Sequence, residues 1–291
     1  MKYEIDRLIT NFKLTEARRL LTSLKVGEIA PDQRSDYAQL CRRAGLFRLA
    51  LQFVYELIHE SKRATQKDLA EYAACLRRVG LISESLRTLE RMPPSAMNYL
   101  QKAFCHIHHW DYATAAGLLL SALESRPGES VSRASRVNLA ASLVVLGEHS
   151  AAEKWLNELE PECEPHSLHH LLNCHEIRAQ IHFLRGDFDA AKITLRNAEA
   201  MLGNDLDGPA RLLLKKWGYI VDVAQTGYSA NQPALDEFKS HIRASGHWDS
   251  LRSLDWELAR VLRSPELAAK VYFGTPFRAF RQQILASEFG P

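Results

Sequence analysis

The sequence lacks the features that mark membrane, secreted and catalytic chains. No apolar run approaches the roughly 20 residues that a transmembrane helix needs. The first ten residues, MKYEIDRLIT, carry acidic side chains where a signal peptide has an apolar core. Only five cysteines occur among 291 residues, and this odd number without dense clustering favours a reducing compartment. We therefore expect a cytoplasmic protein with no membrane partner.

An excess of charge of one sign is also missing. The 37 basic and 35 acidic side chains leave a formal net charge of +2. This balance argues against binding nucleic acid through bulk charge, and we expect no direct contact of this chain with nucleic acid. Hydrophobic residues make up 46% of the chain, which is enough for a substantial core in one large domain or two small ones.

Catalytic motifs are absent too. The chain contains no GxSxG, GxxxxGK[ST], HExxH or GxGxxG, the patterns that position nucleophiles, phosphates, zinc and dinucleotides. The stretch CEPHSLHHLLNCHE is the strongest challenge, because His166, His170 and Cys174 have helical spacing and could share one metal ion. It straddles a loop and contains no CxxC, so we expect no metal, no cofactor and no enzyme activity. A metal-dependent or enzymatic role is the third-ranked alternative.

One sequence pattern, however, recurs several times along the chain. DYAQLCRRAGLFRLAL, which begins at Asp36, and EYAACLRRVGLISESL, which begins at Glu71, share a tyrosine, an alanine, an arginine pair, a glycine and two leucines in register. The window recurs with substitutions around one anchor residue per copy, and successive anchors are separated by 35, 30, 37 and 39 residues. Periods in this range are typical of helical repeat proteins. The anchors are Gly45, Gly80, Trp110, Gly147 and Gly186.

Small residues keep fixed places relative to each anchor. An alanine stands seven places before every anchor, and five places after it stands Ser85 in the second copy and alanine in the others. The flanking segments have apolar residues at i, i+3, i+4 and i+7, which indicates helices. Each copy is therefore predicted to be a helix, a tight turn at the anchor and a second helix. The small side chains would let the two helices approach closely.

This pattern resembles the tetratricopeptide repeat. The stretch IRAQIHFLRGDFDAAKITLRNAEAML is the clearest copy, with the family's small–Gly–aromatic–Ala–Ala order at Ala179, Gly186, Phe188, Ala191 and Ala198. The copies are degenerate, since the family's tryptophan in the first helix is missing. The resemblance implies an all-α fold, a right-handed superhelical solenoid of antiparallel helix pairs. Stacking of such pairs buries a continuous core that one pair cannot bury alone.

The predicted repeat domain spans residues 1–263. Clear copies cover about residues 35–200, and an earlier half-copy, KLTEARRLLTSL, has Ala17 in the small position. From Pro209 onward helical periodicity continues, but the repeat signature fades. We therefore expect helices throughout, with the best-defined repeats in the middle of the chain.

Residues 264–291 are predicted to form a C-terminal helical cap or a linker. Ser264 precedes Pro265 as an N-cap precedes a proline at the first helical position, and Gly274 ends this helix. A second helix is predicted to start at Thr275. A cap would cover the apolar face that the end of a repeat array exposes.

In tetratricopeptide arrays the first helix of each pair lines a concave groove that holds a peptide or a partner helix. The resemblance therefore implies a non-catalytic scaffold or adaptor for protein–protein interaction. The alternative is a sensory or regulatory module of a bacterial signalling or transcription factor whose output domain is missing or acts in trans. The predicted partner-binding residues are Gln39, Arg42, Arg43, Lys67, Arg77, Arg78, Phe104, Val137, Asn138, Val144, Gln180 and Phe183.

Arginines dominate the N-terminal end of this predicted groove. Arg42 and Arg77 hold matching positions in adjacent copies, with Arg43 and Arg78 beside them. Neighbouring helices lie about 10 Å apart, so such arginines could bind successive acidic groups of one protein or peptide ligand. The other interpretation is that they are solvated arginines whose stems cover apolar surface. The ordered lysine and asparagine set of the family's carboxylate clamp is absent, which disfavours a receptor for chaperone tails.

Overall fold

A computed structural model describes residues 1–10, 13–59, 64–163, 167–202, 209–245 and 248–274. Within these ranges the chain forms sixteen α-helices and a short 3-10 turn at Val26–Glu28, with no strand. The all-α prediction is therefore confirmed, as helices packed in adjacent pairs. None of the described helices is long and apolar enough to cross a membrane.

The chain divides into two compact units. Unit 1 comprises Met1–His108 and Thr114–Ser135, and unit 2 comprises His109–Ala113 and Arg136–Pro291. The first seven helices belong to unit 1 and are α1 (Lys2–Thr10), α2 (Leu14–Thr22), α3 (Pro31–Arg43), α4 (Phe47–His59), α5 (Gln66–Arg78), α6 (Ile82–Glu90) and α7 (Ala96–His108). Two helices contribute residues to both units, α8 (Tyr112–Glu124) and α9 (Glu129–Val145). The rest belong to unit 2 and are α10 (His149–Cys163), α11 (Leu168–Leu184), α12 (Phe188–Met201), α13 (Pro209–Thr226), α14 (Tyr228–Ser245), α15 (Trp248–Leu262) and α16 (Pro265–Gly274).

In unit 1 the helices pair along the chain and the first helices of the pairs also touch one another. Helix α3 packs on α4 and α5 packs on α6, while α1, α3, α5 and α7 follow one another side by side. We call these four helices the first-helix layer of unit 1. Between this layer and the second helices lies a core with fully buried Ile5, Leu21, Phe53 and Leu89.

Unit 2 repeats this arrangement. Helix α11 packs on α12, α13 packs on α14, and α11, α13 and α15 lie side by side as the first-helix layer of unit 2. A core cluster joins α9, α10 and α11 through buried Leu156, Leu159, Ile177 and Ile181. The repeating pair is therefore the packing unit in both parts of the chain.

The backbone confirms the predicted turns. Gly45, Gly80, Gly147 and Gly186 have φ between 81° and 88°, a left-handed conformation in which a Cβ is strained. Trp110 takes the same conformation with φ 62°, although it is not glycine. Two further turns, at Gly227 with φ 86° and Arg263 with φ 48°, extend the pattern beyond the region where the sequence predicted clear copies.

The small residues beside each turn are buried where the repeat predicted close helix contacts. In the second copy the hydroxyl of Ser85 donates a hydrogen bond of 2.7 Å to the carbonyl of Ala73, so the two small positions of one pair meet directly. All ten such positions are at most 1% exposed, and they are Ala38, Ala50, Ala73, Ser85, Ala103, Ala115, Ala140, Ala152, Ala179 and Ala191.

Helix α16 begins and ends where the sequence predicted. The backbone N–H of Leu267 donates to the hydroxyl of Ser264 at 3.3 Å, as an N-cap requires. Helix α16 packs on α15, and its Ala268 and Val271 are buried. The second predicted helix, from Thr275, lies outside the described residues.

Candidate functional site

The predicted partner-binding residues fall on first helices of both units, and each unit is described separately. In unit 1 they lie on α3, α5 and α7, and in unit 2 on α9 and α11. Within unit 1, Gln39, Arg43, Lys67 and Arg78 are exposed. Arg43 donates to the side chains of Asp6 and Thr10, so even exposed members of the set bridge neighbouring helices.

An ion-pair ladder crosses three helices of this layer. Asp36 on α3 accepts hydrogen bonds from Lys2 on α1, at 2.9 Å, and from Lys67 on α5. Burial acts to raise the pKa of Asp36, but the two lysines outweigh it and hold that pKa below its usual value. Asp36 was not among the predicted site residues, yet it fixes the direction of Lys67, which was.

Arg42 has an internal carboxylate partner. Its Nε donates to Oε1 of Glu71 at 2.6 Å and its Nη2 donates to Oε2 at 3.0 Å. Both side chains are largely buried, with 16% and 9% exposed. Burial opposes the charge of Arg42, but Glu71 compensates and raises the pKa of Arg42. The bidentate contact predicted for a ligand is thus made within the chain at this position.

Arg77, at the matching position of the next pair, is placed differently. Only 6% of it is exposed. Its Nη1 donates to Nε2 of His108 at 2.9 Å, and its guanidinium lies 5.0 Å from the ring centroid of Phe104. Burial, followed by the nearby charge of Arg78, lowers the pKa of Arg77. An arginine nevertheless stays protonated at neutral pH, so a cation is buried here beside an aromatic ring.

In unit 2 the two predicted valines are core residues. Val137 is 4% exposed and Val144 is 2% exposed, and both belong to the cluster that joins α9, α10 and α11. Asn138 is partly buried, and its backbone carbonyl accepts the hydroxyl of Ser142 at 2.8 Å. The apolar anchors predicted on α9 therefore serve packing in this structure, because their side chains point into the core.

Gln180 and Phe183 belong to a buried polar network in unit 2. The amide of Gln180 and the indole N–H of Trp217, at 2.6 Å, both donate to Oε1 of Glu176. The ring of Phe183 lies 5.8 Å from that of Trp217. Glu176 is 7% exposed, and burial raises its pKa.

Lys216 extends this network to α15. It is 5% exposed, donates to the hydroxyl of Ser253 at 3.2 Å, and lies 5.3 Å from the Trp217 ring centroid. Burial lowers the pKa of Lys216, while Glu176 and Glu257 favour its charge. Sequence reasoning missed Lys216 and Trp217 because the repeat was not followed to the turn at Gly227.

The cysteines and histidines show no metal geometry in the described part of the chain. No three His, Cys, Asp or Glu side chains there come together as a metal site requires, and His166 lies outside the described residues. All five cysteines are buried, and none of them forms a disulfide. Burial raises the pKa of Cys41 to about 12, so this thiol stays protonated and unreactive at neutral pH.

No family model matches this chain, and no curated protein matches it in sequence. The tetratricopeptide assignment therefore stays a prediction from the repeat residues. The structure adds a left-handed turn at every predicted anchor and buried small residues on both sides of each turn. These features define a helical-hairpin repeat without naming its family.

Proposed function

We propose that this chain is a non-catalytic adaptor that binds a segment of another protein along the first-helix layer of unit 1. We also propose that its helix pairs form a right-handed superhelix of the tetratricopeptide type. Both proposals extend the helix pairing and the side-by-side first helices described above. An array of equivalent helices offers equivalent positions at regular intervals, which suits an extended or helical partner segment.

The ladder from Lys2 through Asp36 to Lys67 carries this proposal. It holds an exposed cation in a fixed direction on α5, since the side chain of Lys67 is 61% exposed and bound to Asp36. A surface whose polar groups are already oriented loses less conformational entropy when a partner binds. Gln39, exposed on α3, and Phe104, partly exposed on α7, lie on the same layer.

A matched pair of charge reversals tests the location. Lys67→Glu changes the first-helix layer, and Arg87→Glu makes the same charge change on α6, where Arg87 is 70% exposed and pairs within its own helix with Glu84. Each variant, with the wild type, is used to capture partners from native cell extract, and the recovered proteins are quantified. We expect Lys67→Glu to reduce recovery of a specific partner at least about tenfold, and Arg87→Glu to leave it unchanged.

Melting curves of both variants check that the fold is intact. Equal recovery with Lys67→Glu and the wild type, together with loss in Arg87→Glu, would move the binding surface to the second helices. Loss of recovery in both variants without a change in melting would mean that bulk charge, and no particular surface, drives the association.

A further inference from the structure

One edge of the Arg77 guanidinium differs from the same edge of Arg42 and Arg178. Arg42 donates from Nε and Nη2 to the two oxygens of Glu71. Arg178 donates from the same two nitrogens to Glu160, at 3.1 and 2.9 Å. The Nε and Nη2 of Arg77 donate to no acceptor among the described residues, and no described carboxylate lies within salt-bridge distance of it. The Nε of Arg133 and of Arg136 also lacks an acceptor in this part of the chain, but the Nη nitrogens of these two arginines donate to Glu129 and Glu162, so each has a carboxylate partner.

The surroundings of Arg77 make this a positive site without a counter-ion. Glu71 is the carboxylate that most favours its charge, and Glu71 is already bound bidentately by Arg42. Arg42 and Arg78 add further positive charge. A buried cation is costly unless it is paired and its hydrogen bonds are satisfied, so this arrangement leaves an interaction unmade in the unbound chain.

The rest of the guanidinium is held in place. Because arginine can only donate, Nε2 of His108 accepts the bond from Nη1. The Phe104 ring covers one face at 5.0 Å. The contacts with α7 thus fix the plane of the guanidinium and the position of Nη1. They leave the Nε–Nη2 edge without an acceptor, and this is an edge that can bind a carboxylate bidentately.

We propose that this edge of Arg77 binds a carboxylate of the protein partner, supplied by an acidic side chain or by a C-terminus. The placement rests on the proposed function, since the edge belongs to the first-helix layer of unit 1. Nε is closed to solvent in the unbound chain, whereas Nη2 is not. The carboxylate therefore meets Nη2 first and gains the second bond when neighbouring side chains shift, and Phe104 offers an adjacent ring for an apolar residue of the partner.

Three fluorescein-labelled decapeptides distinguish the sources of the carboxylate. The first alternates Glu and Leu and has an amidated C-terminus, the second replaces every Glu with Gln, and the third is the Gln peptide with a free C-terminal carboxylate. We expect the Glu peptide to bind wild-type protein at least about tenfold more tightly than the amidated Gln peptide in fluorescence anisotropy. Preference for the third peptide over the second would assign the site to a C-terminus.

Two substitutions test the edge itself. Arg77→Lys keeps the positive charge but removes the paired N–H groups of Nε and Nη2, and Arg77→Met removes both the charge and these donors. We expect each substitution to abolish the preference for carboxylate peptides. Arg87→Met on α6 is the matched control and should preserve it. In addition, the Nε–Hε resonance of Arg77 should shift on titration with acetate but not with chloride.

A stability measurement separates binding from structure. Replacing a buried, unpaired cation by an apolar side chain is often neutral or stabilising, so Arg77→Met should melt at the same or a higher temperature than the wild type. A lower melting temperature for both Arg77 variants would make Arg77 a structural residue and overturn the proposal.

Undiminished binding of the Glu peptide to Arg77→Met, or an unmoved Arg77 resonance with both acetate and the Glu peptide, would overturn it as well. If Lys67→Glu still reduces partner recovery in those cases, the adaptor function stands and only the carboxylate site fails. If Lys67→Glu has no effect either, both proposals fail.

Discussion

The two units use similar repeat positions for different chemistry. In unit 1 Asp36 and Glu71, each nine places before an anchor glycine, bind cations of neighbouring first helices, and the pair of Asp36 with Lys67 reaches solvent while that of Glu71 with Arg42 is largely buried. In unit 2 Glu176, ten places before its anchor, is 7% exposed and accepts hydrogen bonds from Trp217 and Gln180. The repeat sets which way a side chain points, and the neighbouring helices decide how much water remains around it.

Burial decides how much these interactions stabilise the fold. Exposed ion pairs typically contribute about 0–1 kcal/mol because solvent screens them. Removing one member of a buried charged network typically costs about 3–5 kcal/mol, because its partners stay buried without it. The partly exposed pairs of Asp36 in unit 1 can therefore be changed at little cost, whereas the buried Arg42–Glu71 pair of the same layer and the network of unit 2 are tied to folding.

The largest expected effect comes from breaking the unit 2 network. Glu176→Ala leaves the indole N–H of Trp217 and the ammonium of Lys216 buried without the carboxylate, and we expect a loss of about 3–5 kcal/mol in the free energy of unfolding. Asp36→Ala in unit 1 should cost at most about 1 kcal/mol. Urea titrations of both variants provide the comparison, and equal losses would contradict the contrast between the partly exposed pairs of Asp36 and the buried network of Glu176.

The next effect concerns the helix contacts that both units share. Ala191 is fully buried where α12 meets its neighbours, so Ala191→Leu should overpack the contact and cost about 1–3 kcal/mol. Ala50→Leu, at the equivalent position of unit 1, should cost a similar amount. Ile193→Leu is the control on α12, since Ile193 is 56% exposed and its replacement should be nearly neutral. An unchanged melting curve for Ala191→Leu would place the repeat in the wrong register.

The sequence was sufficient for the turns and the small contacts because both are local requirements. A left-handed turn demands glycine or strain, and a close helix contact demands a small side chain, so each leaves a mark at a fixed spacing. The turn at Gly227 was missed because Ile220 and Gln232 occupy the places where the other copies have small residues. The φ of Gly227 shows that the left-handed turn is kept although the small residues on either side of it are not.

The pairing of charged residues could not be predicted in the same way. Arg42 and Glu71 are 29 residues apart and meet only because α3 and α5 lie side by side. The same repeat pattern places Arg77 in an equivalent position, but the adjacent helix α7 contains no acidic residue that could pair with it. The position of a side chain on its helix follows from the periodicity. Its partner depends on which residue lies at the same level along the axis of the adjacent helix.

The pH dependence of stability should differ in sign between the two carboxylates. Burial raises the pKa of Glu176, so its favourable contribution is fully present below pH 4.5 and is lost as the pH rises through the pKa of the folded state. The pKa of Asp36 is lowered, so its contribution is present above pH 3.8 and is lost as the pH falls through the pKa of the folded state. Each effect is limited to about 1.4 kcal/mol per pH unit.

Difference measurements isolate these two groups. The urea midpoint of Glu176→Gln relative to the wild type should rise as the pH increases above 4.5, and that of Asp36→Asn should rise relative to the wild type as the pH decreases below 3.8. Parallel trends for the two variants would show that the carboxylates experience the same environment, which the deeper burial of Glu176 and the two lysine partners of Asp36 argue against.

The smallest expected effect is a gain in stability at the last turn of unit 2. Arg263 has φ 48°, and the N–H of Ser264 bonds to the carbonyl of Ala259 at 3.0 Å, the pattern that Glu148 makes after Gly147. Glycine adopts this conformation without a Cβ penalty, although it is more flexible in the unfolded chain. Arg263→Gly should therefore raise the free energy of unfolding by about 0.5–1 kcal/mol, measured by urea denaturation. Arg263→Ala keeps the strained conformation and should leave stability unchanged; a gain from alanine equal to that from glycine would attribute the effect to the lost charge, and the left-handed turn would carry no strain.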